Sequence, residues 1–378
     1  MLHRLSRILF VALAVLATPV CSADSGNEGR ERLFIIGQDL GSVRDYVASK
    51  CCPQADGNTA YLNFYNLLSE EGGYGGLGFD PGGHPLEQEM FWGGGPANAW
   101  KSATEFRGAF AIGLSITENE NPDGLARIAA GDYDANIRQL ARFVSLIEVP
   151  VYLRIGYEFD GSWNQGYADT TNYIAAWRRI VNGLREQGAE NIQFVWQAAV
   201  FPLDEFLEGY HENLADWYPG DSYVDWMGIS LFLHLDEKPD VEGDYDPPTA
   251  RELIGEMLDF ARDRGKPVMI AEASPQGYDL ARGTNAHIAP SWDGPQGEGV
   301  VNVSPTEIWD AWFAPVFELM EQNSDVIYAL AYINCHWDAQ PMWGPPYDNG
   351  YWGDTRLQVS PLVAERFSKA IEHWRKLP

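Results

Sequence analysis

The hydrophobic pattern alternates between short apolar runs and longer amphipathic stretches. Runs rich in β-branched and aromatic residues predict eight buried strands, at 33–37, 59–65, 109–116, 151–158, 192–197, 224–232, 267–272 and 326–334. Helical spacing predicts helices at 97–106, 134–147, 170–187, 248–264, 305–322 and 360–376. This alternation predicts a single-domain α/β fold, the (β/α)8 TIM barrel, whose active sites lie at the C-terminal ends of the strands.

The N-terminal residues form a separate unit. Arg4 and Arg7 precede an apolar run over 8–16, and Cys21-Ser22-Ala23 supplies small residues for processing. This arrangement predicts a signal peptide over 1–23 and a barrel domain over 24–378. The expected location is therefore secreted or periplasmic. The apolar run is too short to span a bilayer, and Val20 before Cys21 matches a lipid-attachment site poorly.

Charge and aromatic content narrow the class of partner. The formal net charge of −28 disfavours nucleic acid and anionic membranes and favours neutral partners, and we expect a monomer. The chain has 14 Trp and 18 Tyr, several of them in glycine-rich segments. Aromatic rings on loops suit the apolar faces of sugars, so a polysaccharide or oligosaccharide is the expected partner. The alternative for any one ring is a core position.

The cysteines and histidines give no metal pattern. Cys51, Cys52 and Cys335 remain after signal removal, and this odd number predicts one disulfide and one free thiol, with the pairing left open. No histidine pair has i, i+4 spacing, and His336 with Asp338 lacks a third ligand. We therefore predict neither a metal nor a cofactor.

Two glutamates are predicted at equivalent strand ends. Glu158 ends the fourth strand and Glu272 the seventh, so the two carboxyls meet across the barrel mouth, as a retaining glycosidase requires. Strand alternation places Arg154 and Glu158 on one face of the fourth strand. It places Glu272 on the same face of the seventh strand as Val268 and Ile270. We predict Glu272 as the nucleophile, held ionised by Arg154, and Glu158 as the general acid/base. A structural Arg–Glu ion pair is the alternative.

Two stretches carry a family resemblance. The sequence RIGYEFDGSWN at 154–164 resembles the acid/base motif R-x-x-H-E-x-N-G-x-W of glycoside hydrolase family 26, which belongs to a clan of retaining (β/α)8 glycosidases. VDWMGIS and KPVMIAEAS resemble its sixth strand and its nucleophile strand. The resemblance implies Glu158 as acid/base, Glu272 as nucleophile, Arg154 as a supporting charge and Trp163 as a sugar contact.

Three positions depart from the family pattern. Tyr157 stands where the family has His, Asp160 where it has Asn, and Phe232 where many relatives have a Tyr near the nucleophile. We place Tyr157 and Phe232 as supporting residues of the site. Further candidates for substrate binding follow from their places at strand ends or in the last rim loop: Gln38, Asp160, Trp163, Asn164, Trp196, Gln197, His234, Asn334, Trp337 and Trp343.

The expected function is a secreted retaining endo-β-glycanase. The resemblance implies β-1,4-mannan as the first substrate to test, with β-1,3-xylan and mixed-linkage β-glucan left open, and the choice between endo and exo action also stays open. One alternative is a glycan-binding protein on a decayed hydrolase barrel, suggested by Tyr157 and Phe232. Another is an unrelated barrel enzyme that uses Glu272 as a general base with a metal.

Overall fold

Eight parallel strands close into a barrel in the computed structural model, which describes residues 30–202, 213–238, 246–286, 300–343 and 352–378. The predicted signal peptide lies outside the described residues, so it and the 24–378 domain boundary stay predictions. The barrel order follows the sequence, which confirms the predicted (β/α)8 fold. The strands are β1 Leu33–Gly37, β2 Gly57–Asn63, β3 Ala109–Ser115, β4 Val151–Ile155, β5 Ile192–Ala198, β6 Trp226–Leu231, β7 Val268–Ala273 and β8 Ile327–Ile333.

The helices pack outside the barrel. Those predicted from the sequence lie close to their predicted limits, whereas the helices at Leu40–Ser49 and Gly124–Ala130 were not predicted. In chain order the helices are α1 Leu40–Ser49, α2 Ala99–Glu105, α3 Gly124–Ala130, α4 Asp134–Ile147, α5 Thr170–Glu186, α6 Ala250–Asp263, α7 Pro305–Ile308, α8 Ala314–Gln322 and α9 Pro361–Trp374. One difference lies in the predicted helix 305–322, where a π-helical turn at Trp309–Phe313 separates α7 from α8. The Trp312 indole N–H there donates to the carbonyl of Phe232 at 3.1 Å, which ties this helix pair to the end of β6.

Alanines occupy several interior positions of the barrel. They include Ala109 and Ala111 of β3 and Ala329 and Ala331 of β8, beside larger side chains such as Trp226 and Met269. Large residues fill the layer between strands and helices, where Phe34 packs against Phe367 of α9 with ring centroids 5.4 Å apart. Because the interior alanine side chains are short, a few long polar side chains fit near the barrel mouth.

Two of these polar side chains depend on inward-facing glycines. A Cβ on Gly113 of β3 would lie 2.7 Å from the Tyr61 ring and 2.9 Å from Nη2 of Arg154. A Cβ on Gly228 of β6 would lie 2.9 Å from Cβ of Gln197. All three distances are shorter than normal packing allows, so these glycines make space for the polar cluster described below.

Backbone irregularities, and not strand alternation, orient both glutamates. In β7 the register shifts by one residue between Ile270 and Glu272 against β6, and a similar shift occurs against β8. This β-bulge corrects our expectation for Glu272: Val268 and Ile270 pack in the outer layer, while Glu272 faces the interior. β4 ends at Ile155, and Gly156 and Glu158 have φ of 50° and 54°, so Glu158 does not continue the strand.

The cysteines differ from the expectation. Cys51 is exposed, Cys52 half-buried and Cys335 buried, and all three are free thiols. The predicted disulfide is therefore absent among these three residues. Within the described residues, no helix has the length and apolar character needed to cross a membrane.

We predict that the β2–β3 register tolerates no side chain at Gly57. A Cβ there would lie 2.0 Å from the carbonyl oxygen of Ala109, which is its register partner. Gly57→Ala should lower the free energy of unfolding by about 1–3 kcal/mol, measured by denaturant titration. The matched control is Gly255→Ala in α6, where no atom lies within 4 Å of the new Cβ; it should raise stability by about 0.5–1 kcal/mol. Equal effects of both substitutions would contradict the register.

Candidate active site

A buried ion pair lies inside the barrel mouth. Arg154 of β4 is 0% exposed, and its Nη1 donates to Oε1 of Glu272 at 2.5 Å. Glu272 is 7% exposed at the end of β7. A buried guanidinium is costly unless it is paired, so the carboxylate of Glu272 and the cation of Arg154 stabilise each other's charge.

Two tyrosines enclose the guanidinium of Arg154. Its Cζ lies 5.1 Å from the ring centroid of Tyr61 and 5.3 Å from that of Tyr157, within cation–π range. Burial, together with the negative charge of Glu272, raises the pKa of both phenols, so both stay neutral. Tyr157 was predicted as a supporting residue. Tyr61 was missed, although it shares the inward face of β2 with Thr59 and Gly57.

Glu158 lies at the end of β4 in a strained conformation. It is a non-glycine residue with φ 54° and is 8% exposed. Its Oε1 accepts from the hydroxyl of Ser230 at 2.7 Å, and its Oε2 from the indole N–H of Trp163 at 3.2 Å. The amide of Asn164 donates to the backbone carbonyl of Glu158 at 2.9 Å. Contacts of this kind maintain backbone strain at functional sites.

Burial raises the pKa of Glu158 well above the ordinary carboxyl range. The negative charge of Glu272 adds to this effect, and the hydrogen bond from Ser230 partly opposes it. Glu158 is therefore a carboxyl that keeps its proton, whereas Glu272 faces a cation. Two carboxyls with opposite surroundings are the arrangement that separates an acid from a nucleophile.

Gln197 and Ser230 connect the two glutamates. Gln197 of β5 accepts from Nη1 of Arg154 at 3.0 Å, and its own amide nitrogen lies 3.0 Å from the hydroxyl of Ser230. Both side chains are buried. Gln197 was predicted as a subsite residue and instead links Arg154 to Ser230. Ser230 was missed, although a single hydroxyl near the end of the apolar run VDWMGIS is a sequence signal for it.

Asp160 forms hydrogen bonds with the backbone at the end of the neighbouring strand β5. Its Oδ2 accepts from the backbone N–H of Val200 at 3.0 Å, and Oδ1 accepts from the N–H of Ala199. Val200 has φ 51°, which is unusual for a β-branched residue. Asp160 therefore joins the loop after β4 to the end of β5, and these bonds indicate a positioning role where we expected substrate contact.

Trp163 and Gln38, two predicted sugar contacts, differ in accessibility. Trp163 is 43% exposed beside Glu158, and its indole face is suited to a sugar ring. Gln38 follows β1 and is half-buried, and its Oε1 is buried without a hydrogen-bond partner among the described residues. The contact of Gln38 with substrate stays a prediction.

Three predicted contacts lie in the core. Trp196 faces the helices and stacks on Phe159 at 4.3 Å, Asn334 binds the N–H of Leu357 and the side chain of Gln358, and the Trp337 indole donates to Thr355. All three are buried, so their position does not support the predicted contact with sugar. Trp196 and Gln197 are adjacent on one strand and face opposite sides, so only one of them can point into the barrel.

The remaining candidates lie on the β6 and β8 side of the rim. Phe232 and Trp343 are half-buried, and both rings pack edge-on to Trp337, at 6.4 and 5.2 Å. His234 is half-buried and lies within hydrogen-bond distance of the Ala311 carbonyl and the Tyr278 hydroxyl. Substrate contact by His234 and Trp343 stays a prediction, as does the supporting role of Phe232.

The described residues contain no group of three or more His, Cys, Asp or Glu side chains that could hold a metal ion. Asp338, considered with His336 in the sequence, instead accepts from the backbone N–H groups of Trp352 and Gly353 at 3.1 Å.

Comparison with known proteins relates this chain to one family. The model of glycosyl hydrolase family 26 matches residues 103–265, which include Glu158 and Ser230. The chain is 33% identical over 349 residues to a β-1,3-xylanase of Alcaligenes sp, and 33% identical over 341 residues to the β-1,3-xylanase TXYA of Vibrio sp. Residues 103–265 thus carry the pattern of glycosyl hydrolase family 26. The two alignments cover 92% and 90% of this chain, which spans only 64% of the length of each relative.

Solved structures of family 26 proteins share the fold. A β-mannanase from Bacteroides ovatus aligns with a TM-score of 0.51 at 15% identity, covering 90% of this chain and 89% of that one. The catalytic domain of an endo-β-1,4-mannanase from Bacillus sp. JAMB-750 aligns with a TM-score of 0.52 at 16% identity, covering 92% and 90%. At this identity the likeness concerns the family 26 barrel alone.

Proposed function

We propose that this chain is a secreted, monomeric endo-β-glycanase that hydrolyses its substrate with retention of anomeric configuration. One observation carries the proposal: two buried glutamates at the ends of β4 and β7 have opposite electrostatic surroundings. Arg154 lies 2.5 Å from Glu272, while burial keeps the proton on Glu158. A protein that only bound glycans would gain nothing from this difference.

The geometry supports a double displacement. A carboxylate oxygen of Glu272 attacks the anomeric carbon, and Glu158 gives its proton to the departing glycosidic oxygen, so the sugar becomes an ester of Glu272. Water then attacks the same carbon while Glu158 takes its proton, and the Glu272 carboxylate is released. Ester formation removes the negative charge of Glu272, which is one cause of the raised pKa of Glu158. The pKa of Glu158 then falls, so Glu158 stays ionised after giving up its proton and can accept the proton of the attacking water in the second step.

We propose β-1,3-xylan as the first substrate to test, ahead of β-1,4-mannan. Support comes from the two β-1,3-xylanases that are 33% identical over most of this chain, whereas the mannanases align at 15–16% identity. Phe232 at the end of β6 offers no side-chain hydrogen bond to a sugar hydroxyl, which suits xylose because it lacks the exocyclic hydroxymethyl group of mannose. The exposed face of Trp163 provides a stacking surface beside Glu158.

The substrate prediction is tested on purified protein with soluble β-1,3-xylan, β-1,4-mannan, β-1,4-xylan and mixed-linkage β-glucan. We expect β-1,3-xylan to give new reducing ends, oligosaccharide products by mass spectrometry, and a β-anomer as first product by NMR. Release of single sugars alone would contradict endo action, and an α-anomer would contradict retention. Binding of the same polysaccharides without any cleavage would favour the decayed glycan-binding barrel.

The nucleophile is tested by Glu272→Ala. Turnover should be abolished because no ester can form, and added azide should restore cleavage of an activated aryl glycoside with inverted configuration. The control is Glu256→Ala on the exposed side of α6, which should keep full activity. An azide product of retained configuration would rule out the nucleophile role of Glu272.

The acid/base is tested by Glu158→Ala and by pH. The variant should lose about 10²–10⁴-fold in kcat/KM on polysaccharide, and much less on aryl glycosides with good leaving groups. In the wild type, activity requires protonated Glu158, so kcat/KM should fall as pH rises through its raised pKa. This alkaline limb should lie above the ordinary carboxyl range and disappear in Glu158→Ala with activated substrates. Equal losses on both substrate types would argue against this role.

A further inference from the structure

A continuous chain of hydrogen bonds runs through the buried mouth of the barrel. It begins at Glu272, passes through Arg154, Gln197 and Ser230, and ends at Glu158, with heavy-atom distances of 2.5, 3.0, 3.0 and 2.7 Å. The three middle residues come from β4, β5 and β6, and each is at most 2% exposed. Solvent therefore does not compete for these bonds.

Arg154 fixes the orientation of the residues that follow it in the chain of hydrogen bonds. An arginine guanidinium has only donors, so the group of Gln197 facing Arg154 must be its carbonyl oxygen. The amide nitrogen of Gln197 then faces Ser230 and donates to its hydroxyl oxygen. Ser230 has a single hydroxyl proton, and Oε1 of Glu158 at 2.7 Å is the acceptor for it.

This polarity distinguishes the two oxygens of Glu158. Oε1 accepts from the Ser230 hydroxyl at 2.7 Å, and Oε2 accepts from the indole N–H of the exposed Trp163 at the longer distance of 3.2 Å. The carbonyl oxygen of a carboxyl is a stronger acceptor than its hydroxyl oxygen, so the shorter bond to Ser230 favours the acidic proton on Oε2. Oε2 is thus on the side that faces the accessible part of the mouth.

We propose that Ser230 and Gln197 are positioning residues that direct the transferable proton of Glu158 to Oε2, in an orientation fixed by the donor groups of Arg154. The residues touch no reacting atom and act through Glu158. The catalytic part of this inference rests on the proposed function, whereas the placement of the proton does not.

Other groups also act on Glu158 and must stay constant in a test. They are Glu272 from β7, Asp160 and Tyr157 beside it in the chain, and Tyr167 farther along the loop after β4. Substitutions at Ser230 and Gln197 leave these side chains intact and change no formal charge. Shifts in the titration of Glu158 then report on the hydrogen-bonded chain.

The test compares Ser230→Ala, Ser230→Thr and Gln197→Met. Ser230→Ala removes the donor to ionised Glu158, so its titration should move upward by roughly one pH unit, the size expected for one hydrogen bond to a charged group. Ser230→Thr keeps the hydroxyl and should stay close to wild type. Gln197→Met leaves the hydroxyl free to rotate and should give an intermediate shift.

Two readouts are needed. The first is the alkaline limb of kcat/KM, and the second is the titration of the Glu158 carboxyl by ¹³C NMR in glutamate-labelled protein, assigned with Glu158→Gln. Ser102→Ala, at a buried serine of α2, is the control and should change neither. All variants are first compared by thermal unfolding.

The outcomes separate the inference from the function. The proposed order of shifts in both readouts supports the positioning role. The same order in the NMR titration of a protein that cleaves no glycan would support proton placement and overturn the proposed function. If Ser230→Ala lost activity with an unmoved Glu158 titration, or if Ser230→Thr behaved like Ser230→Ala, the proposed chain would be overturned.

Discussion

The ion pair between Arg154 and Glu272 is the interaction on which the interior depends. A guanidinium with no exposed surface is tolerated only when acceptors and polarisable rings replace its water. Glu272 and Gln197 supply the acceptors, and Tyr61 and Tyr157 supply the rings. Gly113 leaves the space that the guanidinium and Tyr61 occupy. Five barrel strands thus contribute to the environment of one cation.

The same cation explains why two carboxyls of one mouth differ. Glu272 contacts Arg154 directly, whereas Glu158 meets it only through two neutral side chains, Gln197 and Ser230. Direct contact with a cation stabilises a carboxylate. The indirect contact through Gln197 and Ser230 gives Glu158 one hydrogen bond, which lowers its pKa by less than burial raises it. The two carboxyls of one mouth therefore have different electrostatic surroundings.

Local irregularities of the backbone position both glutamates at the barrel mouth. A β-bulge turns Glu272 inward from β7, and a left-handed residue carries Glu158 beyond the end of β4. The left-handed conformation of Glu158 is stabilised by Asn164, which donates to the Glu158 carbonyl, and Asp160 accepts from the N–H of the nearby strained Val200. The regular strands form the rigid barrel, and the irregular residues at their ends position the two glutamates.

The sequence by itself determined the alternation of strands and helices, the closed eight-stranded barrel, and Arg154, Glu158 and Glu272 as the charged residues at two strand ends. These features follow from local periodicity, which the chain shows directly. Only the tertiary structure decided the orientation of the two glutamate side chains and showed that Tyr61 and Ser230 lie beside them. It also showed that Trp196 and Trp337 lie in the core and that the three cysteines are free thiols. The physical reason is that a bulge, a left-handed residue and a buried hydrogen-bonded chain arise from register and packing between strands remote in sequence, and no local pattern records them.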